Sequence, residues 1–261
     1  ATLTIRRFNN NGLGASDYLQ LHTLNDAMLR FLQCSVEGKL SILVCGGTGA
    51  GKTTLLNMLS GFIPENELIV TIEDNCELQL RQPNVRRMEA RAATGDLESI
   101  GIQELVKHSL RMRPDRIIVG EVRDGTVVDM LAAMSTGHEG SMSTVHTNSP
   151  RALVDSRLPT LFSMYKGGAL PRETQVLMTA EAVHLIVQIA REPNRTRRIT
   201  HITAVTGVDY DRNYINLTDI FRYNRADDSF SMVNDYPQQL LNWLTDHSID
   251  TLKLPRKEDC K

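Results

Sequence analysis

The chain has 261 residues, 41% of them hydrophobic, which is enough to bury one sizeable core. Lys plus Arg number 29 against 31 Asp plus Glu, so there is no excess of positive charge to draw in nucleic acid or an anionic membrane surface. The cysteines at 34, 45, 76 and 260 form no CxxC pair, which speaks against a zinc site or a disulfide framework and for a reducing compartment.

No apolar run approaches the roughly 18 residues that cross a bilayer, and no signal-peptide pattern opens the chain, which predicts a cytosolic setting. The chain begins at Ala1 on "TLTIRRF", the apparent end of a strand, so the expectation is a piece excised from a longer protein. Residues 9–16, "NNNGLGAS", read as a linker. From there Leu24, Ala27, Met28, Phe31, Leu32 and Val36 recur at helical spacing, with Thr23 placed to cap and Gly38 to stop the helix. In "LSILVCGGTGAGKTTLLNMLSGF" a buried strand, Ile42 to Cys45, meets a glycine-rich loop and then a helix that Gly61 ends.

A second strand lies in "LIVTIEDNCEL", followed by a polar stretch at 81–101 and a helix near Gln103 to Met112. Arg116 to Val119 is a third strand and "SMSTV", 141–145, a fourth; strands alternating with helices predict an α/β fold with a parallel sheet covered on both faces. The runs at 183–190, 198–207 and 214–221 predict an appended antiparallel meander. Beyond Tyr223 the chain is polar, with Leu240, Leu241, Trp243 and Leu244 as one apolar helix face.

Gly46 to Thr53, "GGTGAGKT", satisfies GxxxxGK[ST] between an apolar strand and a helix. Glycines let successive backbone N–H groups converge on phosphate oxygens, and the helix N-terminus adds its positive end. Gly46, Gly47, Thr48, Gly49, Ala50, Gly51, Lys52, Thr53 and Thr54 are therefore the expected nucleotide-binding residues, Lys52 reaching the β- and γ-phosphates and the Thr53 hydroxyl the magnesium ion. The ligand expected is ATP with Mg2+.

Hydrolysis also needs the metal held on its far side and a water oriented for in-line attack. "LIVTIED" delivers Glu73 and Asp74 at a strand's carboxyl end, and "RIIVGE" delivers Glu121 at another, the edge where an open parallel sheet places its ligand-facing residues. Gly120 stands where an aspartate is usual; the extra methylene of Glu121 lets it reach the same magnesium-bound water, the alternative being a solvated acid that opens a loop. His138 and His146 flank the fourth strand. "HEGSM" has Met142 where HExxH needs its second histidine, so no metal site follows, while His146, beside Thr144 and Thr147, is placed to sense a γ-phosphate as a neutral imidazole.

Together "GGTGAGKTTLLNMLS", "IVTIEDNCELQL", "RMRPDRIIVGEVRD" and "AAMSTGHEGSMSTVHTNSP" resemble, over residues 2 to 221, the ATPase superfamily of type II and type IV secretion and type IV pili. The resemblance is nearest the CpaF-type ATPases of Tad (Flp) pili and their type IV secretion relatives. It identifies these stretches with that family's Walker A loop, Asp box, atypical Walker B and His box. It implies a RecA-like domain working in cytosolic homo-hexamers on an inner-membrane platform protein, with ATP bound between subunits and between the two domains of one subunit. It implies roles for Lys52 and Thr53 at phosphate and magnesium, for Glu73 and Glu121 at magnesium-bound or attacking water, and for His146 at the γ-phosphate. Arg113 and Arg123 match arginines of the Walker B region, placed at the nucleotide or at a subunit contact, with surface solvation as the alternative. "TIRRF" resembles the closing strand of the family's N-terminal domain, which makes Arg6 or Arg7 an outlying nucleotide contact. The tetracysteine zinc motif common in the type II branch is absent, so no zinc is expected.

The division implied is 1–16 as remnant and linker, 17–223 as ATPase domain and 224–261 as a polar tail. The function implied is ATP hydrolysis powering pilus assembly or protein secretion, without direct nucleic acid contact. The alternatives are a conjugation or DNA-uptake motor, and a nucleotide-gated interaction module with little turnover.

Overall fold

The computed structural model describes residues 12–94 and 97–260; Arg6 and Arg7 lie outside them. In chain order the first half holds α1 (Ala15–Gln20), α2 (Asp26–Glu37), β1 (Ile42–Gly46), α3 (Lys52–Ser60), β2 (Ile69–Glu73), β3 (Val85–Glu89), α4 (Ile102–Ser109) and β4 (Arg116–Val119). There follow α5 (Thr126–Ser135), β5 (Met142–His146), α6 (Pro150–Ala152), a π-helical turn at Leu153–Arg157, α7 (Leu158–Ser163) and α8 (Arg172–Ala182). The chain closes with β6 (Leu185–Arg191), β7 (Arg197–Asp209), β8 (Tyr214–Asn224), β9 (Ser229–Met232) and α9 (Gln238–Asp246).

All nine strands form one sheet, ordered β3-β2-β4-β5-β1-β6-β7-β8-β9. Every neighbouring pair from β3 to β6 is parallel and every pair from β6 to β9 antiparallel. The central strands β1, β2 and β4 are buried along their whole length, as strands covered on both faces must be, which is why they read as unbroken apolar runs. One core, built on α2, α3 and α9, packs on one face and a second, built on α5, α7 and α8, on the other. The chain is thus an α/β protein with a largely parallel sheet and an antiparallel extension. Among the described residues no helix is long and apolar enough to cross a membrane.

Several expectations are corrected. The linker at 9–16 runs into α1, whose start is fixed by the Asp17 carboxylate accepting from Gly14 N at 2.8 Å. Thr23 does not cap α2: Asn25 does, its Oδ1 accepting from Met28 N at 2.9 Å, while the Thr23 carbonyl accepts from Ile199 N on β7 at 2.8 Å. The polar stretch at 81–101 contains β3, an edge strand that needs only backbone pairing with β2 and therefore carries no apolar pattern. β6, read as the first strand of the meander, pairs parallel with β1, Ile42 opposite Leu185, so the change of direction comes one strand later.

The segment after Tyr223 supplies β9 and the expected helix, α9. Leu240 and Leu244 are buried, Trp243 Nε1 donates to Gly38 O at 3.0 Å, and a Cβ on Gly38 would lie 2.5 Å from Leu244 Cδ2. The glycine that ends α2 is therefore also the seat of α9.

Candidate active site

β1 ends at Gly46 between β5 and β6, in register with His146, so the loop that follows leaves the sheet at its carboxyl edge. Gly49 and Gly51 have φ of +71° and +100°, left-handed values that turn the loop back over its own N–H groups. Gly51 caps α3, whose first turn carries no acidic residue, so the positive end of that helix is left to an exogenous anion. Thr53 and Thr54 follow inside the first turn.

Lys52 is 8% exposed, its amine donating to Gly47 O at 3.3 Å and lying 3.0 Å from His146 Nε2. His146 Nε2 in turn lies 3.3 Å from Glu121 Oε1, so the three side chains form a short chain across the mouth of the loop. Burial, and then the charge of Lys52, holds the imidazole below its usual pKa, and burial lowers that of Lys52. A neutral ring offers its Nε2 lone pair to the ammonium and keeps its proton on Nδ1. Glu121 is steadied from behind: Thr144 Oγ1 donates to Gly120 O at 2.8 Å and Val122 N to Thr144 O at 2.9 Å, which pins the end of β4 to β5.

Glu73, the last residue of β2, is 3% exposed. Its Oε1 accepts from Glu77 N and Leu78 N, both at 3.0 Å, whereas Oε2 is buried without a hydrogen-bond partner. Burial raises the pKa of this carboxyl group against the lowering effect of those two bonds. The glycine that replaced the expected aspartate now has a reason: a Cβ on Gly120 would lie 3.0 Å from Glu73 Cγ, so any side chain at the end of β4 would press on that carboxylate.

The other acid and arginine candidates divide. Asp74 binds Arg123 at 2.8 Å, linking the loops after β2 and β4 at the same sheet edge. Arg113 sits three residues before β4, at the opposite edge, exposed and at φ +51°. A four-residue strand separates it from Glu121, which removes Arg113 from the nucleotide of its own chain. His138 is also at that far edge, its Nδ1 2.8 Å from Pro114 O, so the two histidines sit at opposite ends of one strand.

Beside the loop opens a cavity of about 660 Å3 bordered by Tyr18, Thr23, Gly51, Thr53, Thr54, Asn57, Gln79 and the hairpin residues Asn194 to Arg197. Sequence reasoning missed this wall because its parts come from α1, α3 and the β6–β7 turn, which share no local pattern. Among the described residues no group of three or more His, Cys, Asp or Glu could hold a metal ion unaided.

Comparison with known proteins bears on the assembled site. Residues 1–212 match the family of type II/IV secretion system proteins. The conjugal transfer protein TrbB of Rhizobium radiobacter is 33% identical over 220 residues, 81% of this chain and 63% of that one. The type IV secretion system protein VirB11 of Bartonella quintana is 36% identical over 187 residues, 72% and 51% of the two chains. Among solved structures, the VirB11 ATPase of the Brucella suis type IV secretion system, in complex with sulphate, aligns at a TM-score of 0.61 with 25% identity, covering 77% of this chain and 65% of that one. The pilus retraction motor PilT with bound ADP aligns at 0.56 and 17% identity over 98% and 63%, a likeness of fold. The chain spans about half the length of the curated relatives it matches.

Proposed function

The chain belongs to the type II/IV secretion system protein family, and from that premise we propose that it binds ATP with Mg2+ at the phosphate loop and hydrolyses it. The observation that carries this reading is Glu73: a buried, rigidly held carboxylate with one oxygen committed to backbone N–H groups and the other unpartnered. Most buried carboxylates have both oxygens satisfied.

The residues fit a magnesium ion held through phosphate. The Thr53 hydroxyl and Glu121 are the residues that would hold it, together with the phosphate oxygens of the nucleotide. When bound, the ion neutralises charge on the β- and γ-phosphate oxygens. Lys52 exchanges His146 for those oxygens. Glu73 Oε2 accepts a hydrogen bond from the attacking water and sets it in line with the γ-phosphorus; the new P–O bond forms as the bond to the β,γ-bridging oxygen breaks, and one proton of the water passes to an oxygen of the departing phosphate. His146, neutral and bonded through Nε2 to Lys52 beside Glu121, reads the presence of the γ-phosphate.

The division of labour differs between the two acids, and this supplies the test. With Glu73→Gln, kcat should fall about 100-fold or more while ATP affinity and magnesium dependence stay. With Glu121→Gln, the magnesium concentration for half-maximal turnover should rise. Full turnover in Glu73→Gln would end the role given to that residue.

At the level of the assembly, the same motor works as a homo-hexamer in the cytoplasm against an inner-membrane platform protein, in Tad/Flp pilus assembly or protein secretion. Support comes from the family match and from the Brucella VirB11 ATPase. Arg123 and Arg113 are its candidates for the nucleotide edge and a subunit contact. A conjugation motor is the second reading, favoured by the similarity to TrbB, a conjugal transfer protein. The near-balanced charge supports a motor that does not itself thread DNA, and salt-sensitive stimulation of turnover by single-stranded DNA would reverse that.

A further inference from the structure

One cation beside the phosphate loop has no place in the chemistry above. Arg197, the first residue of β7, projects from the β6–β7 hairpin back over the loop, its Nη2 donating to Gly49 O at 3.2 Å. A Cβ on Gly51 would lie 3.2 Å from Arg197 Cδ and 3.4 Å from Nε, so the arginine stem lies flat against the residue that caps α3. The hairpin approaches the start of the loop at a second point, where a Cβ on Gly46 would collide with the Ile189 carbonyl of β6.

Two neighbouring arginines are engaged in ion pairs; Arg195 also borders the cavity beside the loop, but the arginine laid against the loop itself is Arg197. Arg198 is bound to Asp228 and Arg225 to Glu192. Arg197 is exposed and has no carboxylate partner among the described residues; its one hydrogen bond goes to a loop carbonyl, a weak acceptor for a guanidinium. It borders the same cavity of about 660 Å3 as Thr53 and Thr54, which begin the helix whose N–H groups face the inner phosphates of a nucleotide. Lys52, His146 and Glu121 stand together on the other side of that loop, toward β5 and β4.

We propose that Arg197 is a phosphate clamp for the nucleoside diphosphate moiety: on binding it leaves the Gly49 carbonyl and closes over the α- and β-phosphates. The proposal rests on the reading of the loop as an ATP site. An arginine on this side touches what ATP and ADP share, so it contributes binding that is the same before and after hydrolysis. That sets it apart from Lys52 and His146, which read the γ-phosphate. An interaction equal in ground and transition states lowers KM and leaves kcat alone.

The test is calorimetric titration of the 261-residue chain with ADP and with a non-hydrolysable ATP analogue, in the wild type, Arg197→Lys and Arg197→Ala, with steady-state turnover alongside. In Arg197→Ala both dissociation constants should rise by the same factor, about tenfold, and KM with them, at unchanged kcat. Arg197→Lys should recover part of the loss, because the charge remains and the bidentate fork does not. Unchanged affinity for both nucleotides would overturn the proposal, as would a loss confined to the ATP analogue. If the wild type binds neither nucleotide, the ATP-site reading itself fails, an outcome distinct from either result with the variants.

Discussion

The two ends of the parallel sheet treat buried polar groups in opposite ways. At the amino edge Arg116 is fully buried and each of its guanidinium nitrogens is bonded, to the Glu67 carboxylate, to Val36 O and to Gly140 O. Around it, Ser141 Oγ accepts from Ile117 N at 2.9 Å and donates to His138 O at 2.6 Å, and His184 Nδ1 accepts from Ser41 N at 3.0 Å. At the carboxyl edge Glu73 is as deeply buried, yet Oε2 has no partner and Lys52 leans on a neutral imidazole. Arg116, answered within the chain, ties elements together, whereas Glu73 Oε2, unanswered at a strand's carboxyl end, is the atom the proposed reaction uses.

The contrast can be broken from either side. The largest effect is expected at the ligand edge: Lys52→Ala should lower turnover at least about 1000-fold with no change in unfolding midpoint, assayed by phosphate release and by urea denaturation. Arg116→Ala should do the reverse and cost about 3–5 kcal/mol of stability, because it leaves the Glu67 carboxylate buried without its cation.

Next comes pH. Burial, with a smaller contribution from the charge of His247, lowers the His184 pKa from 6.5 to about 4. The unfolded chain therefore takes up a proton at this site before the folded one does. The stability is whole above about pH 6.5 and is lost as pH falls toward 4, by about 3 kcal/mol at about 1.4 per pH unit. Denaturation at pH 7.5, 6 and 5 should show this slope in the wild type and a shallower one in His184→Asn; equal slopes would show that other groups carry it. The smallest effect is a sharpening of the ligand edge: Gly120→Ala, which presses on Glu73 Cγ, should reduce kcat about tenfold while costing less than about 1 kcal/mol.

Legibility followed how local each cause is. The strand, loop and helix around Lys52 were plain because their signals, an apolar run, glycines at set offsets and Gly61 as a stop, are contiguous. β3 was hidden because an edge strand needs no apolar face, and the true cap of α2 because Thr23 and Asn25 offer the same chemistry two residues apart. Arg197 was invisible, being 148 residues from the carbonyl it touches.

By itself the sequence determined the phosphate loop, the acids at two strand ends and the alternation that makes a parallel sheet, all of them consequences of residue type at short spacing. Only the tertiary structure set the surroundings of the two acids. Glu73 is held by the backbone of the turn after it and given room by Gly120 on the neighbouring strand, while Glu121 lies 3.3 Å from His146 Nε2 and faces the charge of Lys52. Glycine in place of the usual aspartate relieves a close contact with a residue 47 positions away, and such contacts exist only once the strands lie side by side.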